Sequence, residues 1–109
     1  MLAQQAGGGG AAPRRDPREV VLQRFVVDGR LVAIPAQRGK RLVILDHLAG
    51  LFEPGVHYTE AEVNQALAAY HADVAALRRY LVDEAFMGRA GGVYWRAGGT
   101  VDVEGPAER

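Results

Sequence analysis

Arg78 and Arg79, adjacent in a segment of helical periodicity, and Arg89 and Arg96, on either side of a glycine turn, are the residues of this chain best suited to hold phosphate. A guanidinium presents a planar fork of N–H donors and keeps its charge at any physiological pH. Arg78 and Arg79 lie off the apolar face of Val74, Leu77 and Leu81, so at least one of them should reach solvent. Bound to duplex DNA, they would meet phosphates or base edges in the major groove, with Arg89 and Arg96 at the backbone or minor groove. The structural alternative pairs Arg79 with Asp83, four residues on, and turns Arg78 back toward Asp73. The first turn of this segment counts against DNA, because Asp73, Ala75 and Ala76 bind no phosphate.

A further basic cluster, Lys40 and Arg41 after Arg38-Gly39, falls at a helix start, where free N–H groups and the helix dipole favour an anion. It either contacts phosphate or forms a solvated basic turn. It is not a P-loop, because no earlier glycine sits at the required spacing and no Ser or Thr follows Lys40. Charge is segmented along the chain: Arg24, Arg30, Arg38, Lys40 and Arg41 stand against Asp28 alone, and Glu53, Glu60, Glu62 and Asp73 have no Lys or Arg between them. The whole chain nevertheless has a net charge of 0, so any attraction to nucleic acid must be local.

Other chemistries find little support. Without cysteine there is no disulfide, no thiolate catalysis and no cysteine-ligated metal. His47, His57 and His71 do not fall at metal-ligand spacings, although a His71-Asp73 pair with a distant third ligand stays open. No nucleophile has a base near it in sequence, and the carboxylates near helix starts read as caps. Neither enzymatic activity, cofactor nor metal is therefore expected. The apolar run Leu42-Val43-Ile44-Leu45 is far short of a membrane span, and Met1 to Gln5 lacks the features of a signal peptide, so a cytoplasmic protein is expected.

With 109 residues there is room for one domain. Residues 1–15, rich in Gly and Ala, read as a disordered tail, residues 16–97 as the domain, and residues 98–109 as a flexible end. Asp16-Pro17-Arg18-Glu19 signals a helix start, with the helix running to about Phe25. Asp28-Gly29 marks a tight turn before a strand over Leu31 to Ile34, and pairing of Val26-Val27 back onto that strand is left open. Leu42, Leu45, Leu48 or Ala49, and Phe52 recur at helical spacing, giving a core helix from about Gly39 to Phe52. Thr59-Glu60-Ala61-Glu62 is a capping box, with Tyr58 before it as a hydrophobic staple. The helix it opens buries Val63, Leu67 and Tyr70, while Asn64 holds a turn or contacts a partner. Asp73 caps the next helix. A hairpin turning at Ala90-Gly91-Gly92 closes the domain, with Tyr94 in the core. This order (helix, strand, three helices, β-hairpin wing) predicts a small α+β, winged-helix-like domain, its lone strand at Leu31 to Ile34 pairing with the hairpin.

At these residues the chain resembles a prokaryotic domain family of unknown function found alone or attached to ArsR-type transcriptional regulators. The resemblance rests on Gly29-Arg30-Leu31 with Ile34-Pro35, Lys40-Arg41 with Leu45, Tyr58-Thr59-Glu60 with Glu62-Val63-Asn64, and Asp73 with Leu77-Arg78-Arg79, Leu81-Val82-Asp83 and Gly92-Val93-Tyr94-Trp95-Arg96. It covers roughly Arg24 to Arg96 and implies a link to transcriptional regulation, without a site list to transfer. Ala85-Phe86 stands where the resemblance leads to a glycine, so the helix there should run on or end without a left-handed cap. The expected function is double-stranded DNA binding through Lys40, Arg41, Arg78, Arg79, Arg89 and Arg96, as a homodimer or beside a partner regulator. The alternative is a protein-docking or dimerisation module whose regulator touches DNA through another chain. A third reading, a small-ligand sensor, has no pocket residues to support it.

Overall fold

The computed structural model describes residues 16–100, so the expected tails over 1–15 and 101–109 lie outside the described residues. Helix α1 (Pro17–Phe25) begins as its sequence indicates: the Arg18 N–H donates to Asp16 Oδ1 at 2.9 Å, and Pro17 opens the helix. Strands β1 (Val26–Val27) and β2 (Arg30–Leu31) then form a hairpin. Its turn needs two left-handed residues, which Asp28 (φ 53°) and Gly29 (φ 77°) supply.

This hairpin corrects the expected topology. The strand placed over Leu31 to Ile34 ends at Leu31 and does not pair with the later hairpin. Its backbone is already used, since the Leu31 N–H donates to Tyr70 O and the Val32 N–H to Phe25 O, both at 2.8 Å. The third strand of the wing sheet is instead β3 (His57–Thr59), directly before α3 (Glu60–Ala68). The sheet order is β3-β5-β4, all antiparallel, with β5 (Val93–Arg96) between β3 and β4 (Met87–Ala90). Tyr58 pairs with Tyr94 and Arg89 with Tyr94, so this row shares one face of the sheet.

Between β2 and β3 in the chain comes α2 (Arg38–Ala49), ending in tight turns through Phe52. Ile44, Leu45, Leu48, Ala49 and Phe52 are buried on its core side. The capping box of α3 is fully formed, with the Glu62 N–H donating to Thr59 Oγ1 at 3.1 Å and the Thr59 N–H to Glu62 Oε1 at 2.8 Å. Tyr58 packs edge-on against Phe52, with ring centroids 5.1 Å apart. Helix α4 (Val74–Asp83) is capped by Asp73, whose carboxylate accepts the Ala76 N–H, and it buries Leu77 and Leu81. Those two, with Val63, Leu67, Met87 and Tyr94, complete one core.

Helix α4 also ends otherwise than expected. Ala85 adopts φ 64°, the left-handed cap usually given to glycine, and the Phe86 N–H donates to Leu81 O while the Ala85 N–H donates to Val82 O. This double closure, together with the burial of Met87 two residues later, holds an alanine in a conformation that costs roughly 1 kcal/mol or more. Ala85→Gly should therefore raise stability by about 0.5–1 kcal/mol, read from chemical denaturation. An unchanged or lower midpoint would show that the alanine is unstrained there.

Gly98 to Thr100, assigned to the flexible end, are hydrogen-bonded in the structure. The Ala97 and Gly98 N–H groups donate to Phe86 O, and the Thr100 N–H donates to Asp46 Oδ1 at 2.6 Å. Arg18 completes this strap by bonding both Asp46 and Thr100. Burial pushes the Asp46 carboxyl up, but the Thr100 N–H and the Arg18 guanidinium together hold it below its ordinary value of 3.8. Among the described residues, no helix is long and apolar enough to cross a membrane.

Candidate functional site

The cationic side chains singled out by sequence divide into two groups. Arg78, Arg79 and Arg89 come together around a cleft of about 290 Å³ between α4 and the β4–β5 hairpin, lined also by Ala75, Val82, Asp83 and Tyr94. The helix register places Arg78 and Arg79 on its rim, and the β4 register places Arg89 opposite Tyr94. Arg89 is exposed, and its guanidinium carbon lies 5.7 Å from the centroid of the Tyr94 ring. Arg79 is exposed as well. Among the described residues it makes neither the expected pair with Asp83 nor any other ion pair.

Arg78 is held differently from the expected turn toward Asp73. Its Nη1 donates to Asn64 Oδ1 at 2.5 Å, and its Nη2 lies 3.8 Å from Glu60 Oε2. Glu60 and Asn64 are four residues apart on α3, so both project toward α4 from one face. The Tyr94 hydroxyl, on a buried ring, donates to Glu60 Oε1 at 3.1 Å. Asn64, whose role the sequence left open, is thus the residue that positions Arg78. A polar side chain one turn into a helix, facing a basic residue on the next helix, was the available signal.

Of the remaining candidates, Arg96 and Arg41 are taken up by the fold. Arg96 donates through Nε to Gly98 O at 3.0 Å, through Nη1 to Phe52 O at 3.4 Å and through Nη2 to Thr100 O. It anchors the chain after β5 and is not among the residues lining the cleft. Arg41 donates through Nη1 to Pro35 O and Ala36 O and lies 4.6 Å above the Tyr80 ring, with a buried Nε. It braces the loop ahead of its own helix against α4, so a phosphate-facing Arg41 is not what the structure shows. Lys40 is half-buried on α2 and forms no ion pair among the described residues. Arg38, next in that cluster, makes a two-pronged bond to Glu84, Nε to Oε2 at 3.0 Å and Nη2 to Oε1 at 2.7 Å. That bond holds the Glu84 carboxyl below its ordinary 4.5 and pushes Arg38 up. Of the basic residues singled out by sequence, the three brought to one cleft are therefore Arg78, Arg79 and Arg89.

The His71-Asp73 pair left open for a metal is engaged in a turn, with the Asp73 N–H donating to His71 Nδ1 at 3.0 Å. Among the described residues, no group of three or more His, Cys, Asp or Glu could hold a metal ion.

The sequence profile of a family described as "Uncharacterized protein conserved in bacteria (DUF2087)" matches residues 30–96. Neither a curated protein nor a solved structure matches the chain.

Proposed function

The chain belongs to this bacterial family of uncharacterised proteins, and from its geometry we propose that it is a winged-helix module that binds the sugar-phosphate backbone of duplex DNA in transcriptional regulation. From α2 onward the order is helix, strand, helix, helix, hairpin, which is the order of a winged helix, with α4 as the helix presented to DNA and β4–β5 as its wing. The observation that carries the reading is the pair Arg79 and Arg89. Both are exposed, both are free of ion pairs among the described residues, and they flank one cleft between helix and wing. Phosphate oxygens spaced along a duplex strand suit guanidinium groups arrayed in this way. One such module covers a half-site, so it acts as a dimer or beside a partner regulator of the ArsR type.

Anisotropy titration of random duplex DNA at several salt concentrations tests the proposal. If Arg79 and Arg89 alone neutralise phosphates, the slope of log affinity against log salt is about −1.8, and if Arg78 joins them it is about −2.7. Affinity then falls about 12- to 40-fold between 50 and 200 mM salt. No binding at 50 mM would reject DNA as the partner.

A second reading, docking or dimerisation, is favoured by the first turn of α4, where exposed Asp73 and Ala75 offer phosphate nothing. The net charge of 0 agrees with it. Light scattering separates the two, since a monomer that binds duplex DNA fits only the first.

A further inference from the structure

Beneath the cleft, the contacts to Arg78 are unequal in kind. Asn64 Oδ1 is a neutral acceptor at 2.5 Å, which fixes the guanidinium without reducing its charge. Glu60 Oε2 is an anion at 3.8 Å, too long for a hydrogen bond but close enough to offset that charge. The Arg78 side chain is 22% exposed and that of Glu60 45%, so water and a ligand can reach both. Glu60 is also fixed at its other oxygen by the Tyr94 hydroxyl, so its position beside Arg78 is built into the core of the wing. An incoming phosphate would use the same N–H donors that face this carboxylate.

We infer that Glu60 is an internal competitor for the anion site, setting how much of the Arg78 charge is available to a phosphate while Asn64 keeps the guanidinium in place. This rests on the DNA-binding reading above. Glu60 is then the affinity-setting residue of the cleft, and Asn64 its positioning residue. The site is tuned to weak, salt-sensitive contact, with Glu60 keeping most of the Arg78 charge from the phosphates of a duplex.

Glu60→Gln is the test, because the amide oxygen still accepts from Tyr94 while the charge is gone. Anisotropy titrations with random duplex should show the unmodified protein near a slope of −1.8 and the variant steeper by up to about 0.9, binding up to about 15-fold tighter at 50 mM salt. The gain should vanish in Glu60→Gln combined with Arg78→Ala, which should bind no better than Arg78→Ala alone. Glu19→Gln, which changes the net charge equally on exposed α1, should change nothing. The unmodified protein gives a second reading: a slope already near −2.7 would mean that Glu60 withholds nothing, and would overturn the inference. So would a Glu60→Gln variant that binds like the unmodified protein, and in that case salt-dependent binding by the unmodified protein leaves the DNA reading standing. If neither protein binds duplex at 50 mM, both fall together.

Discussion

Replacing Arg79 and Arg89 together by alanine should lower duplex affinity about 200-fold at 50 mM salt and reduce the salt slope by about 1.8, leaving almost no electrostatic binding. The magnitude follows from the two guanidinium groups each neutralising one phosphate, with the loss referred to about 1 M salt, where counterion release no longer contributes. Neither residue is buried, and neither holds an ion pair among the described residues. The fold should therefore survive, and the melting temperature should stay within a few degrees of the unmodified protein. Arg79→Lys with Arg89→Lys should keep most of the slope, because a point charge is enough for a phosphate contact that reads no base. Arg96→Ala should do the reverse. It breaks the bonds to Gly98, Phe52 and Thr100 and loosens the segment after β5, with little change in slope. If the Arg79 and Arg89 double variant bound duplex as tightly as the unmodified protein, the cleft would not be the contact surface, and docking would be the better reading.

Leu77→Ala should be the most damaging single truncation near the site. Leu77 is 0% exposed and fixes the middle of α4 to the core, so the change removes buried apolar surface and leaves a cavity. Such truncations cost about 2–5 kcal/mol, a large share of the roughly 5–15 kcal/mol that holds a domain together. In a domain of this size each kcal/mol shifts the midpoint by about 4–8 °C, so the melting temperature should fall by roughly 8–40 °C. Below the transition, the folded fraction should bind DNA with an unchanged slope, because no charge has moved. A fall of only a degree or two would mean that α4 is not anchored through Leu77.

What could be read from the sequence was local. Asp16, Thr59 with Glu62, and Asp73 each cap a helix through atoms two or three residues away, so their pattern and their structure coincide. The apolar spacing of Leu45, Leu48 and Phe52 placed the core helix, because a 3.6-residue repeat allows one buried stripe. The arginine partners were not legible, since Arg78 meets Asn64, Arg38 meets Glu84 and Arg96 meets Phe52 only once the helices and strands have packed. Strand β3 was hidden for a different reason. Three residues carry too little alternation to stand out, and two of them, Tyr58 and Thr59, also form the entry to α3. The cap at Ala85 escaped because the long-range seating of Met87 and the two closing N–H groups overrides the preference for glycine at a positive φ.

The strap linking Arg18, Asp46 and Thr100 brings two residues from opposite ends of the domain to one carboxylate, with Arg18 Nη1 3.4 Å from Thr100 Oγ1. A domain whose entry and exit lie side by side can be spliced into a surface loop of a host protein without prying that loop open. Mechanically, tension applied across those two positions would load the Asp46 clasp first, and the core helices only after it had parted.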